Sequence, residues 1–141
     1  MKKSLLTATL LAVSLLGAEK AATVKEVHGS AVAIQNGVET ALKPAEELSS
    51  DTTIRTKEDG QVTIVFTDNS IMNIAPSSIV KLEKYLFKPK KQEYAFELYM
   101  QKGKCAFESG KIGELAPKKF VFKTPEGAVA IRGTKFLVKV Q

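Results

Sequence analysis

The sequence predicts an all-β protein: a compact twisted sandwich or a solenoid-like stack of short, mainly antiparallel strands. Three observations carry that prediction. After residue 19, apolar side chains recur at every second position almost without interruption, the period of a strand with one wet and one buried face. Gly, Asn, Asp and Pro break the alternation at short, regular intervals, as turns do between the strands of a sandwich or barrel. A chain of 141 residues has room for one core and gives no sign of a second.

The first stretch, "MKKSLLTATLLAVSLLGA", stands apart. Lys2 and Lys3 precede an apolar run from Leu5 to Leu16, and the small residues Gly17 and Ala18 follow. This is the layout of a secretory signal peptide, read here as residues 1–18 with cleavage after Ala18. The run is shorter than the roughly 20 residues of a membrane span. The remainder, 19–141, is read as a single all-β domain with no transmembrane segment in the mature chain. Removing the leader lowers the formal charge from +6 to +4. That balance is too mild for a nucleic-acid footprint, and no nucleic-acid partner is expected.

Along the mature part, "SAVAIQNGVETAL" places Asn36-Gly37 between two alternating runs, the sequence of a type I′ hairpin turn. "KPAEELSSD" reads as a polar connection with room for one helical turn. "TTIRT" is a strand and "KEDG" a turn. "QVTIVFT" sets Val62, Ile64 and Phe66 on one face. "DNS" is an Asx-type turn, and "IMNI" is a strand stopped by Pro76. "SIVKLEKYLF" reads as a strand with Val80, Leu82 and Leu86 facing inward and Tyr85 outward. "KPKKQ" is a basic turn. "EYAFELYM" places Tyr94, Phe96, Leu98 and Met100 on one face; "KCAFE" and "KFVFKT" are further strands, with "SGKIGELAPK" a loop between them. An internal echo, "RTKEDGQVTI" against "KTPEGAVAI", is compatible with stacked layers.

Catalytic groups do not converge. The single histidine, His28, precedes a glycine and reads as a strand-end residue. One histidine and one cysteine cannot build a zinc site, and neither a calcium loop nor a Walker motif is present. No enzyme activity, metal or cofactor is expected. Cys105 shares parity with Phe107 and reads as a core thiol. Lys88, Lys90, Lys91, Lys118 and Lys119 gather in two loops. They read as candidate contacts for an envelope polyanion such as lipopolysaccharide or anionic lipid, or as protection of sheet edges.

Near the C-terminus, Val129, Ile131 and Gly133 are odd, whereas Phe136, Val138 and Val140 are even. If all six face the core, the alternation slips at Gly133, and a β-bulge or corner is expected there. Arg132 would tie down the bend, with Asp68 a candidate partner. A bulky Gly133→Val would then destabilise the fold.

Two blocks in the chain carry a resemblance. "IRTKEDGQVTIVFTDNSIMNIAPSSIVKL" and, some forty residues on, "FKTPEGAVAIRGTKFLVKV" resemble the FecR-type periplasmic domain family. Thr56, Asp68, Ser70, Pro76, Ser78, Thr124, Pro125, Arg132, Gly133, Thr134 and Phe136 match its pattern, over roughly residues 50 to 140. The resemblance implies a periplasmic all-β module that senses or contacts another envelope protein, without catalysis, and motif residues that serve the fold. It also implies a stand-alone exported form, because a leader occupies the place where regulators of this family carry a cytoplasmic segment and a membrane helix.

Overall fold

The computed structural model describes residues 20–129 and 134–141. Among the described residues, twelve strands form one continuous sheet that curls on itself around a hydrophobic core. They are β1 (Lys20–His28), β2 (Ala31–Gln35), β3 (Val38–Ala41), β4 (Glu47–Ser49), β5 (Thr52–Thr56), β6 (Gln61–Phe66), β7 (Ile71–Ile74), β8 (Ile79–Lys88), β9 (Glu93–Glu108), β10 (Phe120–Thr124), β11 (Gly127–Val129) and β12 (Lys135–Val140). One short helix, α1 (Lys111–Leu115), lies between β9 and β10.

The long strand β9 organises everything else. Its first part pairs with β8 on one edge and with β10, in parallel, on the other. Its last part pairs with β7 and β12. The sheet therefore has two wings that meet along β9. One wing runs β3-β2-β5-β8-β9-β10-β11 and the other β4-β1-β6-β7-β9-β12. "EYAFELYM" and "KCAFE", expected as separate strands, are one strand, bent at Gly103, whose φ is +102°. Phe96, Leu98 and Met100 are buried before the bend, and Cys105 and Phe107 after it. The inward parity changes from even to odd at that glycine, the residue that tolerates this backbone.

Other expectations hold in detail. Asn36 and Gly37 take φ values of 52° and 75° and close the β2–β3 hairpin, as a type I′ turn requires. Val62, Ile64 and Phe66 are buried. Cys105 is buried and its thiol is free.

Several readings are corrected. The polar connection 43–51 contains β4, which hydrogen-bonds β1, rather than a helical turn. The loop expected over 109–118 contains α1, and a 3-10 turn at Pro117–Lys119 takes in the Lys119 expected to begin the next strand. In β8 a register shift between Leu82 and Lys84 reverses the alternation. Tyr85 is consequently buried and Leu86 only half-buried, the opposite of the regular pattern. The two echoed segments are not equivalent either. Strands β10 and β11 form a hairpin, whereas β5 and β6 lie in different wings.

Aromatic side chains from both wings fill the space between them. Phe96 touches Phe66, Tyr85, Phe107 and Phe120 at centroid distances of 4.6, 4.8, 5.7 and 5.0 Å. Each such pair adds about 0.5–1.5 kcal/mol beyond simple burial, so this ring cluster helps to fasten the wings that share β9.

Candidate functional site

The motif residues of the first block, Thr56, Asp68, Ser70, Pro76 and Ser78, gather at two seams where one wing meets the other. The first is built on the β6–β7 turn. Asn69 sits at φ +68°, and the chain reverses around Asp68, which is buried. Oδ1 accepts the Ser70 amide at 3.1 Å and the Tyr85 hydroxyl at 3.3 Å. Oδ2 accepts the Ser70 hydroxyl at 2.8 Å and the Ile112 amide at 2.9 Å. Four donors thus surround a carboxylate that burial would otherwise penalise. The Asp68 carbonyl accepts the Lys111 amide at 2.8 Å, and Ser70 Oγ accepts the Gly110 amide at 2.9 Å. One turn therefore anchors the start of α1. A side chain at Gly110 would collide with the Asp68–Ser70 backbone.

Tyr85 reaches the same turn from the other wing. Its hydroxyl accepts the Asp68 amide at 3.0 Å and lies 2.7 Å from Thr67 Oγ1. Burial raises its pKa well above the ordinary phenol value, so the hydroxyl keeps its proton and donates it to Asp68.

The second seam joins the end of β5 to the bend in β9. Thr56 Oγ1 donates to the Ala75 carbonyl at 2.7 Å and accepts the Ser78 amide at 2.9 Å. Ser78 Oγ accepts the Lys104 amide at 3.0 Å and lies 3.2 Å from the Pro76 carbonyl and 3.3 Å from the Lys104 carbonyl. Ser77 is left-handed, at φ +55°. The space above Gly103 is occupied by Ser78, and a Cβ there would fall inside that residue.

The C-terminal motif residues are spread more widely. Thr124 Oγ1 accepts the Glu126 amide and lies 3.2 Å from the Gly127 carbonyl, shaping the turn that contains Pro125. Phe136 is half-buried against Phe107 at 5.3 Å. Thr134 is exposed, and its carbonyl accepts the Ser109 amide at 2.8 Å. Arg132, Gly133 and the joint expected at them lie outside the described residues. The parity premise behind that joint does fail at Val129, which is 40% exposed rather than buried.

The lysine groups are closer together than the sequence suggests. Lys90 and Lys91 end a 3-10 turn opened by Pro89, and Lys118 and Lys119 end another opened by Pro117. These turns lead into β9 and β10, which run in parallel with Phe120 level with Phe96. Both Pro-Lys-Lys turns therefore project from the same end of the same wing. Lys88 stands at the end of β8 beside the first turn.

The Asp68 carboxylate is committed to four donors. His28 is exposed and bonds Glu26 at 2.7 Å. Burial pushes the Cys105 thiol up to about 12, which makes it a poor nucleophile. Among the described residues no group of three or more His, Cys, Asp or Glu side chains could hold a metal, and no helix is long and apolar enough to cross a membrane.

Sequence reasoning missed Gly103, Gly110 and Tyr85. The signal for Gly103 was present, since the buried parity of "YAFELYMQKGKCAF" changes between Met100 and Cys105. Gly110 and Tyr85 carry no comparable local signal, because the residues that demand them are distant in sequence.

A family model described as "FecR protein" matches residues 52–141. That span begins at β5 and takes in both seams. No curated protein and no solved structure matches the chain.

Proposed function

Because the chain belongs to the FecR family, a regulatory and signalling family, we propose that it is a protein-interaction or signal-perception module of the cell envelope. The observation that carries this reading is the family match over residues 52–141. We place the mature chain in the periplasm, as residues 19–141 after removal of the leader at 1–18. The Lys2-Lys3, Leu5–Leu16 and Ala18 pattern supports export. The buried motif residues Thr56, Asp68, Ser70 and Ser78 are given a structural rather than a ligand-binding role. Their polar atoms already bond one another and the backbone, leaving no free group for a ligand.

Photo-crosslinking in intact cells tests the proposal, with the crosslinker placed at single exposed positions around the molecule. A discrete adduct with one envelope protein is expected from a contiguous set of positions. A smear of random neighbours from every position would overturn it.

A second reading is supported by the convergence of the two Pro-Lys-Lys turns. Lys88, Lys90, Lys91, Lys118 and Lys119 would contact the phosphates of lipopolysaccharide or anionic lipid. Retention on anionic vesicles should then fall with salt and be lost when Lys90, Lys91, Lys118 and Lys119 are replaced by Glu. Unchanged retention in that variant would refute it.

A further inference from the structure

Strand β12 pairs with β9 alone among the described strands, and two backbone bonds fix its phase. The Ser109 amide donates to the Thr134 carbonyl at 2.8 Å, across the β9–β12 ladder. The Lys104 carbonyl points the other way and accepts the Ala75 amide at 2.9 Å. An antiparallel ladder alternates with period two. Phe136, Val138 and Val140 therefore direct their backbone groups at β9. Lys135, Leu137 and Lys139 turn theirs outward, where no backbone partner meets them among the described residues.

The side chains of those same three residues stand on the outer face, and Leu137 is 73% exposed. Lys139 lies directly opposite Lys104, in a non-hydrogen-bonded pair whose Cα atoms approach to about 4.5 Å. Like charges so placed repel. Neither lysine has a carboxylate within ion-pair distance among the described residues, although cations elsewhere do: Lys81 with Asp51 at 3.2 Å, Arg55 with Glu39 at 2.9 Å, Lys123 with Glu83 at 2.9 Å. Lys102 joins them around a concavity of about 430 Å³, bounded by Ala75–Ser77 and by Gln141 and lined by no acidic side chain. Lys135 has only a long contact to Glu108, at 3.9 Å.

A second copy of the chain is a poor occupant for this edge. Antiparallel pairing of two β12 strands about Leu137 would set Lys135 of one against Lys139 of the other, twice, and lysines on an edge oppose such pairing. An acidic strand meets the opposite situation. Its carboxylate would relieve the Lys104–Lys139 repulsion while its backbone takes up the outward groups. A groove of about 370 Å³ between β11 and β12 borders the same edge, with Val129, Phe136 and Leu137 in its lining.

We infer that the β12 edge receives an extended acidic segment of an envelope protein as an added strand, a carboxylate level with Lys139 and an apolar side chain level with Leu137. This deepens the interaction reading above and rests on it. The partner is recognised in part by main-chain bonds and in part by alternate side chains, as in other strand additions.

The test uses the purified protein and a blocked seven-residue peptide, Thr-Glu-Thr-Leu-Thr-Glu-Thr, beside its analogue with Lys for Glu. With the acidic peptide, amide exchange at Lys135, Leu137 and Lys139 should slow by about tenfold, while the Val38–Ala41 edge is unaffected. The basic analogue should protect nothing. Lys139→Glu should weaken the acidic peptide by about fivefold or more yet raise the melting temperature, because it removes the repulsion with Lys104. Loss of binding in that variant therefore cannot be attributed to misfolding. Equal protection by both peptides, protection at β3 instead, or undiminished binding by Lys139→Glu would overturn the inference. In cells, specific adducts from other positions but none from Leu137 would also overturn it and leave the interaction reading standing. No specific adduct from any position would remove the interaction reading itself, whatever the peptides do.

Discussion

Replacing Gly103 by Ala should be among the most damaging single changes in this chain. The new Cβ would fall within Ser78, touching its Cα as well as its side chain, so a rotamer change cannot relieve the clash. Either β9 or the Pro76–Ser78 segment must move. Movement breaks the bonds of Ser78 Oγ with the Lys104 amide at 3.0 Å and with the Lys104 carbonyl at 3.3 Å. Each loss costs about 1 kcal/mol, and more if a buried group stays unpaired. A φ of +102° adds about 1–3 kcal/mol of backbone strain for any residue but glycine. The sum is about 3–5 kcal/mol, a large part of the stability of a domain this size. It corresponds to a fall of roughly 10–20 °C in melting temperature. Urea denaturation followed by circular dichroism measures it directly. Adding Ser78→Gly removes the clashing side chain but leaves the contact with the Cα at position 78, the strained φ and the lost bonds. The double variant should therefore be less destabilised than the two singles added together. A loss below about 1 kcal/mol for Gly103→Ala, or strict additivity with Ser78→Gly, would refute the argument that this contact sets the bend.

Asp68→Asn should cost about 2–4 kcal/mol, because an amide nitrogen in the place of Oδ2 would face the Ile112 N–H donor against donor, and the flipped amide would face the Ser70 N–H in the same way. Faster amide exchange at Ile112 would place the damage at α1, and an unchanged rate there would contradict the four-donor account. Cys105 should resist thiol reagents at pH 8 until denaturant is added. Its folded pKa is raised to about 12 from an ordinary 9.0, so the unfolded chain loses the proton first. Its contribution to stability is complete below about pH 9 and declines as pH rises toward 12, by up to about 1.4 kcal/mol per pH unit. Cys105→Ala should flatten that part of the stability profile, and an identical alkaline slope in the variant would argue against the buried neutral thiol. Phe96→Leu should cost about 1–3 kcal/mol by breaking the ring cluster between the wings, read as a lower urea midpoint; a midpoint equal to that of the parent would show that the cluster does not fasten them.

What could be read from the sequence depended on distance along the chain. Strand content, the Asn36-Gly37 hairpin and the buried face of β6 follow from local period and turn chemistry, which neighbouring residues report directly. The Asx turn at Asp68 was legible for the same reason. Its function as an anchor for Gly110 and Ile112 was not, because those partners lie about forty residues away. Tyr85 shows the limit most sharply. Regular alternation placed it outside, and only the register shift against β9 turns it toward Asp68. At Gly103 the alternation contained the answer. The same parity argument directed at Gly133 applies at Gly103, where buried residues flank the glycine on both sides. It had less support near the C-terminus, where Val129 faces outward.

The contrast between the seams and the β12 edge also separates motif residues that serve the fold from edge residues outside the motif. Thr56, Asp68, Ser70 and Ser78 have their polar atoms spent on one another and on the backbone, so a substitution there perturbs folding before any partner is involved. Lys135, Leu137 and Lys139 are in the opposite condition: their backbone groups, and one repelled charge, find no complement within the described residues. A local pattern cannot announce such residues, since "KFLVKV" alternates like any ordinary strand and its exposure is decided by which neighbour is missing. Substitutions at the seams should therefore change stability and partner binding together. Lys139→Glu should move them in opposite directions, and only that opposition identifies a surface whose unmet bonds serve a second molecule.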